Sequence, residues 1–452
     1  MMDNQINMQD TRVIPADYKQ TEVGIIPADW DVLPLSKLST RITDGEHLTP
    51  ERAEFGYYLL SARNIQNGYL DLSDVDYVGE KEYLRIRKRC NPEEGDVLIS
   101  CSGTIGRISV LPRGIECVMV RSAALVKPSA SKLNGHYMQY FLQSKIGQSQ
   151  IFASLNQGAQ ANLFLNHIQN ISLALPQKFY EQTAIAKVLS DTDALITVLE
   201  ELIAKKQAIK IASMQQLLTG RTRLPQFAKQ PSGAIKNYKS SELGIIPDDW
   251  ETVAMGEMGV TYGGLSGKSK NDFGSGNSLY VPFTNIMANV IVNVNHLERV
   301  NVQETQRQVL PGDLLFNGSS ETPEEVCFCS LMSEEIDKLY LNSFCFGFRA
   351  NSQPKYLPLY IAYWFRSSAG RTAVSIMAQG STRYNISKSQ FLTLKIVLPP
   401  ILEQTAIATV LSDMDAELEK LEQKLAKIRD IKQGMMQQLL TGRIRLPLDH
   451  QP

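Results

Sequence analysis

Tyr18-Lys19-Gln20-Thr21-Glu22-Val23-Gly24-Ile25-Ile26-Pro27-Ala28-Asp29-Trp30 returns as Tyr238-Lys239-Ser240-Ser241-Glu242-Leu243-Gly244-Ile245-Ile246-Pro247-Asp248-Asp249-Trp250. Far downstream of each copy, Met214-Gln215-Gln216-Leu217-Leu218-Thr219-Gly220-Arg221 returns unchanged as Met436 to Arg443. The offsets are 220 and 222 residues, so the whole interval between the markers has repeated almost in register. Solenoid repeats run on the order of 20–50 residues, so a unit this long is a domain plus its connector. A duplicated domain presents two similar surfaces related by approximate symmetry. That suits a target that is itself roughly two-fold, and duplex DNA is the commonest one.

Within each copy, apolar, β-branched and aromatic runs punctuated by Gly, Asn and Pro predict a β-rich core. Such runs are Tyr57–Leu60, Asp96–Ser100 and Ile108–Leu111, and then Leu279–Phe283, Asp313–Phe316 and Phe344–Phe348. His136–Ser154 and Lys355–Met377 read as helices near the end of each core, and Ile171–Leu175 and Leu394–Leu398 as its last strand. Beyond Pro399-Pro400 the pattern turns helical up to Gly442. Leu411, Met414, Leu418, Leu421, Leu425, Ile428, Met435 and Leu439 follow steps of three and four, broken only by Lys432. That is a coiled-coil seam. The first copy carries Leu189, Ile196, Leu199, Ile203 and Leu217 at matching positions, with a second apolar stripe of Val188, Leu195, Leu202 and Ile209 that predicts a broader buried face. Repeats related by an approximate two-fold require the two helices to run antiparallel.

The expected class is α+β: two repeated β-rich domains separated by a pair of long antiparallel coiled-coil helices. The boundaries place an extension at 1–17, the first domain at 18–175, its helix at 176–224 and a polar linker at 225–237. The second domain follows at 238–398, its helix at 399–446 and a tail at 447–452.

A hydrophobic content of 43% and a charged content of 21% are ordinary for a globular chain. No run approaches the roughly 18 apolar residues of a membrane span, and the polar start lacks an apolar signal core, so a cytoplasmic protein is expected. Cys90, Cys101, Cys117, Cys327, Cys329 and Cys345 lack zinc-ligand spacing and read as reduced, buried thiols. The formal net charge of −1 argues against bulk electrostatic DNA binding, though not against two reading loops aided by basic partners.

The search for catalysis is nearly empty. Gly263-Gly264-Leu265-Ser266-Gly267-Lys268-Ser269 resembles a phosphate loop, but its first glycine is one residue too close and no helix follows. Asn91-Pro92 lacks the amino-methyltransferase continuation, and the five histidines are scattered. What remains are polar loops that recur while their contents differ. Asn156 to Asn162, with Gln157, Gln160 and Asn162, matches Gln379 to Asn385, with Ser381, Thr382, Arg383 and Tyr384. Arg63-Asn64 aligns with Thr284-Asn285. The stretch from Gly103 to Arg107, which includes Thr104, corresponds to Asn317-Gly318-Ser319-Ser320. Asn and Gln suit adenine, and Arg suits guanine. The basic run Arg85 to Arg89 is a candidate phosphate contact.

With these markers in hand, the chain resembles the specificity subunit of type I restriction–modification enzymes over essentially its whole length. The marks are the paired Gly-Ile-Ile-Pro-x-Asp-Trp entries, the two Glu-Gln-Thr-Ala-Ile-Ala helix starts (Glu181 to Ala186, Glu403 to Ala408) and the two Met-Gln-Gln-Leu-Leu-Thr-Gly-Arg helix ends. The resemblance implies two target-recognition domains, each reading one half of a bipartite site in double-stranded DNA, and helices that set the unread gap. It implies a non-catalytic chain that binds no cofactor itself. Two modification subunits would bring S-adenosylmethionine for adenine methylation, and two restriction subunits would use ATP and Mg2+. An insertion near Leu218 to Arg223 would then lengthen the gap. The alternatives are a protein-only structural adaptor and an enzyme with an unrecognised site.

Overall fold

The computed structural model describes residues 14–153, 155, 161–303, 305–351 and 355–447. Gln157 and Gln160 lie outside them, as do most of the expected N-terminal extension and tail. The described chain divides into two compact units. The first holds the N-terminal part up to Glu200 together with Lys424 onward, and the second holds Glu201–Gln423.

In the first unit the central sheet is formed by β1 (Ser39–Asp44), β2 (Val97–Ser100), β3 (Ile108–Val110) and β4 (Ala123–Pro128), in the antiparallel order β1-β4-β2-β3. The second unit repeats it with β5 (Gly259–Gly263), β6 (Leu314–Asn317), β7 (Cys329–Leu331) and β8 (Cys345–Ala350), in the order β5-β8-β6-β7. Strands β2 and β6 are buried along their full length, which explains why Val97-Leu98-Ile99 and Leu314-Leu315-Phe316 read as continuous apolar runs and not as alternations. Beside each central sheet lies a smaller one that contains a single parallel pair, Tyr57–Leu60 with Cys117–Met119 and Phe273–Val281 with Leu339–Leu341.

Each segment expected as one helix near the end of its core is two helices. The first unit has α1 (Gly135–Gln143) and Lys145–Ala153, and the second has α3 (Pro358–Arg366) and Ser368–Ser375. The break falls on Ser144 and Ser367, both extended, whose hydroxyls accept from the N–H groups of Gly147 and Gly370. A Cβ on either glycine would strike the backbone of the preceding helix, so each serine and glycine together fix the corner.

The long helices are α2 (Phe179–Leu217) and α4 (Ile401–Leu439), of 39 residues each; at about 1.5 Å per residue each extends for about 58 Å. They pack together in both units. In the first unit Asp193 meets Lys432 at 2.5 Å and Glu200 meets Arg429 at 2.5 Å. In the second, Lys206 meets Glu417 at 2.7 Å and Lys210 pairs with Asp415. In each case a rising number on one helix meets a falling number on the other, so the packing is antiparallel. Leu189, Leu199, Leu425 and Leu439 are buried in the first unit, with Ile196, Ile428 and Met435 partly so. Ile203, Leu217, Leu411 and Leu418 are buried in the second, with Met414 and Leu421 partly so. The second stripe departs from expectation: Leu195, Leu202 and Ile209 are exposed, because one seam suffices for a two-helix contact.

All six cysteines are free and buried. Burial pushes the thiols of Cys90, Cys101, Cys117 and Cys345 up to about 12, so they stay protonated and behave as small hydrophobes. Among the described residues no helix is long and apolar enough to cross a membrane, and no His/Cys/Asp/Glu cluster could hold a metal. The phosphate-loop lookalike leads only into the one-turn helix Lys270–Asp272.

Candidate nucleic-acid interface

The most strongly repeated residues converge on one closing knot per unit. In the second unit, Arg223 donates to both oxygens of Glu403 (2.9 and 2.5 Å) and to both of Asp249 (2.8 and 3.0 Å). Trp250 Nε1 donates to Glu403 at 3.1 Å. In the first, Arg445 donates to Glu181 (2.9 and 2.6 Å) and to Asp29 (3.1 and 2.8 Å) beside Trp30. Burial opposes the Arg223 charge, and the bonds to Glu403 and Asp249 overcome it, so its pKa lies above the ordinary guanidinium value. Gly220 and Gly442 end the long helices at φ +70 and +65, where side chains are disfavoured, and pack against the Pro247–Trp250 and Pro27–Trp30 turns. The neighbouring glutamines, Gln182 and Gln404, clamp the helix starts: each accepts from a domain N–H (Asn134 at 3.0 Å, Leu357 at 2.8 Å) and donates to carbonyls. The end of α2 thus closes the second unit, and the end of α4 closes the first. This corrects the choice of Leu218 to Arg223 as an insertion point, because those residues belong to the second knot.

A second repeated device explains the seam's polar break. Lys432 pairs with Asp193 and lies 5.6 Å from the Tyr140 ring centroid, while Tyr140 Oη donates to Asp193 at 2.8 Å. In the second unit Lys210 pairs with Asp415 and lies 6.0 Å from the Tyr363 ring, and Tyr363 Oη donates to Asp415 at 2.7 Å. Each triad joins a domain helix, α1 or α3, to both long helices.

The knots and triads lock each domain to the helix pair and leave the loops beyond β2 and β6 free to vary. There the structure joins loops distant in sequence. In the first unit Ser102 pairs with Asn162 as an isolated bridge. In the second, Ser319 and Ser320 pair with Asn385 and Tyr384. The first rim surrounds a cleft of about 1010 Å³ lined by Asp44, His47, Gly103, Arg121, Asn162 and Phe164, among others. Arg121 is exposed, and its side chain makes no hydrogen bond or ion pair among the described residues. Opposite, Asp44 accepts from His47 at 2.6 Å and from Arg89 at 2.8 Å. Burial raises its pKa, but those two partners lower it by more, leaving it below the usual carboxylate value. Thr104 is exposed and Arg107 is half-buried.

On the second rim, Ser381, Thr382 and Arg383 are exposed, and Tyr384 is half-buried. Two residues missed by sequence reasoning join them. Phe344 stands exposed beneath the Arg383 guanidinium, and Lys388 reaches over Gly263, where an added Cβ would lie 3.2 Å from its Nζ. Phe344 was legible only as strand, and Lys388 carried no signal in the sequence.

Four candidates have a different role. Asn64 and Asn285 are buried and shape the loops that follow. Asn64 donates to the carbonyls of Asp71 and Asp74 (both 3.1 Å), and Asn285 to those of Asn293 (2.8 Å) and His296 (3.1 Å). Asn317, also buried, holds Ser319 and Glu325 carbonyls, and Ser319 is buried in its own strand pair. The three asparagine amides are already spent on backbone groups and brace the loops from within. Arg63 is exposed but paired with Asp74 and Asp76. The basic run is likewise engaged internally: Arg85 with Glu46 and Glu82, Arg87 with Tyr83, and Arg89 with Asp44.

The family model described as "Type I restriction modification DNA specificity domain" matches residues 28–210 and again 247–430. The chain is 24% identical over 441 residues to the type I restriction enzyme MjaVIII specificity subunit of Methanocaldococcus jannaschii, covering 95% of this chain and 96% of that one. It is 22% identical over 444 residues to the EcoKI specificity subunit of Escherichia coli, covering 93% and 90%. In fold it matches the crystal structure of the type I restriction–modification S subunit from M. genitalium with a TM-score of 0.55 at 13% identity, over 91% of this chain and 96% of that one. With both repeats matched and the two-domain, two-helix fold shared, this chain belongs to the type I restriction–modification specificity subunits, the non-catalytic DNA-specificity component of those complexes.

Proposed function

We propose that the chain reads a bipartite, asymmetric site in double-stranded DNA, each recognition domain contacting one half through its loop rim. The observation that carries this reading is the pair of rims at the same edge of two topologically identical sheets, furnished with different residues. Thr104, Arg107, Arg121 and Asn162 serve the first half-site, with Gln157 and Gln160 as further candidates. Ser381, Thr382, Arg383, Tyr384 and Lys388 serve the second. Two modification subunits carry S-adenosylmethionine and methylate adenine, two restriction subunits use ATP and Mg2+, and the assembly works in the cytoplasm. The long helices set the unread gap.

Methylome sequencing of a host with and without this gene, its partner subunits present, tests the reading. A bipartite motif that vanishes with the gene is expected. A chain that binds only protein would leave the methylome unchanged. Replacing residues 37–175 by the equivalent region of a relative should change one half-site and keep the other; a swap that changes both breaks the two-reader scheme. Adding one heptad to each long helix, after Glu200 and after Gln423, keeps the seam in register and leaves both knots intact. It should lengthen the gap by about three base pairs, since seven residues add about 10 Å and base pairs stack about 3.4 Å apart.

A further inference from the structure

We propose that Arg383, positioned over the ring of Phe344, reads a guanine in the half-site contacted by the second recognition domain; the inference rests on the reading role of that rim. The Arg383 guanidinium carbon lies 5.4 Å from the Phe344 ring centroid. Phe344 is 61% exposed, so its ring face is open to the guanidinium. No carboxylate of the described residues pairs with Arg383.

Both partners sit on fixed backbone. Phe344 N–H donates to Asn342 Oδ1 at 2.9 Å, and the Phe344 carbonyl accepts from Gly318 at 2.9 Å. The loop carrying Arg383 is closed by reciprocal backbone bonds between Gln379 and Asn385, at 2.9 and 2.8 Å, and Asn385 Nδ2 donates to the Arg383 carbonyl at 3.2 Å. Only the side-chain stack remains adjustable.

Stacking uses the face of a guanidinium and leaves its edge of N–H donors open. That edge only donates. Guanine offers two acceptors side by side in the major groove, whereas adenine offers one acceptor and one donor, so the complementary base is guanine. An arginine already held over a ring freezes fewer rotamers on binding. Phe344 is thus a positioning residue. Among the described residues the first unit has no such pair: Ser122 holds the place of Phe344 and accepts from the Ala62 N–H at 3.1 Å.

The test uses the complete complex with its modification subunits, comparing wild type with R383A, R383K, F344A and F344Y. The readouts are methylome sequencing and methylation rates on duplexes carrying each base in turn. The wild-type second half-site should contain a guanine at one position where R383A accepts other bases, with discrimination falling about 5- to 150-fold, the range of one bidentate contact. R383K, which keeps the charge but not the fork, should lose most of that discrimination. F344A should weaken it at that position alone, F344Y should restore it, and the first half-site and gap should stay unchanged throughout. An R383A or R383K complex with the wild-type motif overturns this inference alone, as does F344A relaxing positions indiscriminately. A wild-type complex that methylates no bipartite site overturns the reading role of the rim as well.

Discussion

Around Glu181 and Glu403 the two halves are built from the same charged residue types: an aspartate from the entry turn, a glutamate from one helix start, and an arginine past the end of the other long helix. Around the rims they share little beyond backbone pairing, with Arg121 and Asn162 in one and Phe344, Arg383 and Lys388 in the other. A buried charge tolerates few replacements, because any partner it loses leaves it stranded away from water. A loop whose backbone bonds are already satisfied leaves its outward side chains free. The contrast separates what closes the fold from what a specificity subunit must be able to vary.

The knots themselves are not equal, and the largest expected effect tests that. Arg223 and Glu403 are almost wholly buried, their side chains 4% and 0% exposed, whereas Arg445 is 43% exposed. Glu403→Ala takes one of its two carboxylates from the buried Arg223 and leaves Trp250 Nε1 without its acceptor, and should cost about 3–5 kcal/mol. Glu181→Ala lets Arg445 turn to water and should cost about 1.5–3 kcal/mol. Urea unfolding of the two variants, followed by tryptophan fluorescence, measures the gap, and equal losses would break the comparison.

The triads, by contrast, predict equality. Tyr140→Phe and Tyr363→Phe each remove one hydroxyl donor to an aspartate that keeps its lysine, at about 1 kcal/mol apiece. Losses in the same urea experiment that differ several-fold would show that one triad alone bears on its helix pair.

A smaller difference lies along the helices. Gly434 sits exposed in α4 with nothing within 4 Å of an added Cβ, while the matching residue of α2 is Ala212. Gly434→Ala should therefore stabilise the chain by about 0.5–1 kcal/mol, seen as a higher melting temperature. A drop in stability would mean that the face needs its glycine.

The smallest effect is acid dependence. Asp249 is partly buried, which raises its pKa, but Arg223 and Lys236 lower it more, to below its ordinary 3.8. A depressed carboxylate lends stability that is complete above its unfolded value and lost as pH falls through the folded one. Stability should thus be flat near neutrality with respect to this group and decline only below about pH 4. Asp249→Asn should remove part of that decline, under about 1 kcal/mol, because water reaches the Asp249 end of the pair. An unchanged acid limb in this variant would assign the decline to other carboxylates.

Much of this was legible from residues alone, because duplication and helical periodicity are one-dimensional signals. The repeated entry turns, the seam from Leu411 to Leu439 and the inert cysteines all follow from spacing and residue type. What spacing cannot convey is the direction in which a side chain is spent. Asn64, Asn285 and Asn317 are chemically suited to bases, yet each folds inward to satisfy carbonyls of its own loop, which no pattern announces. Lys432 reads as a flaw in a heptad until Asp193 and Tyr140 arrive from far away in sequence. Arg223 and Arg445 carry no signal in the sequence until each meets a glutamate at the start of the other long helix. The sequence by itself determined that the chain is doubled, where its long helices and central strands run, and which family it joins. Only the tertiary structure decided which polar groups are used up inside and which remain free at the rims, because hydrogen-bond satisfaction depends on partners brought together by folding and not on neighbours in the chain.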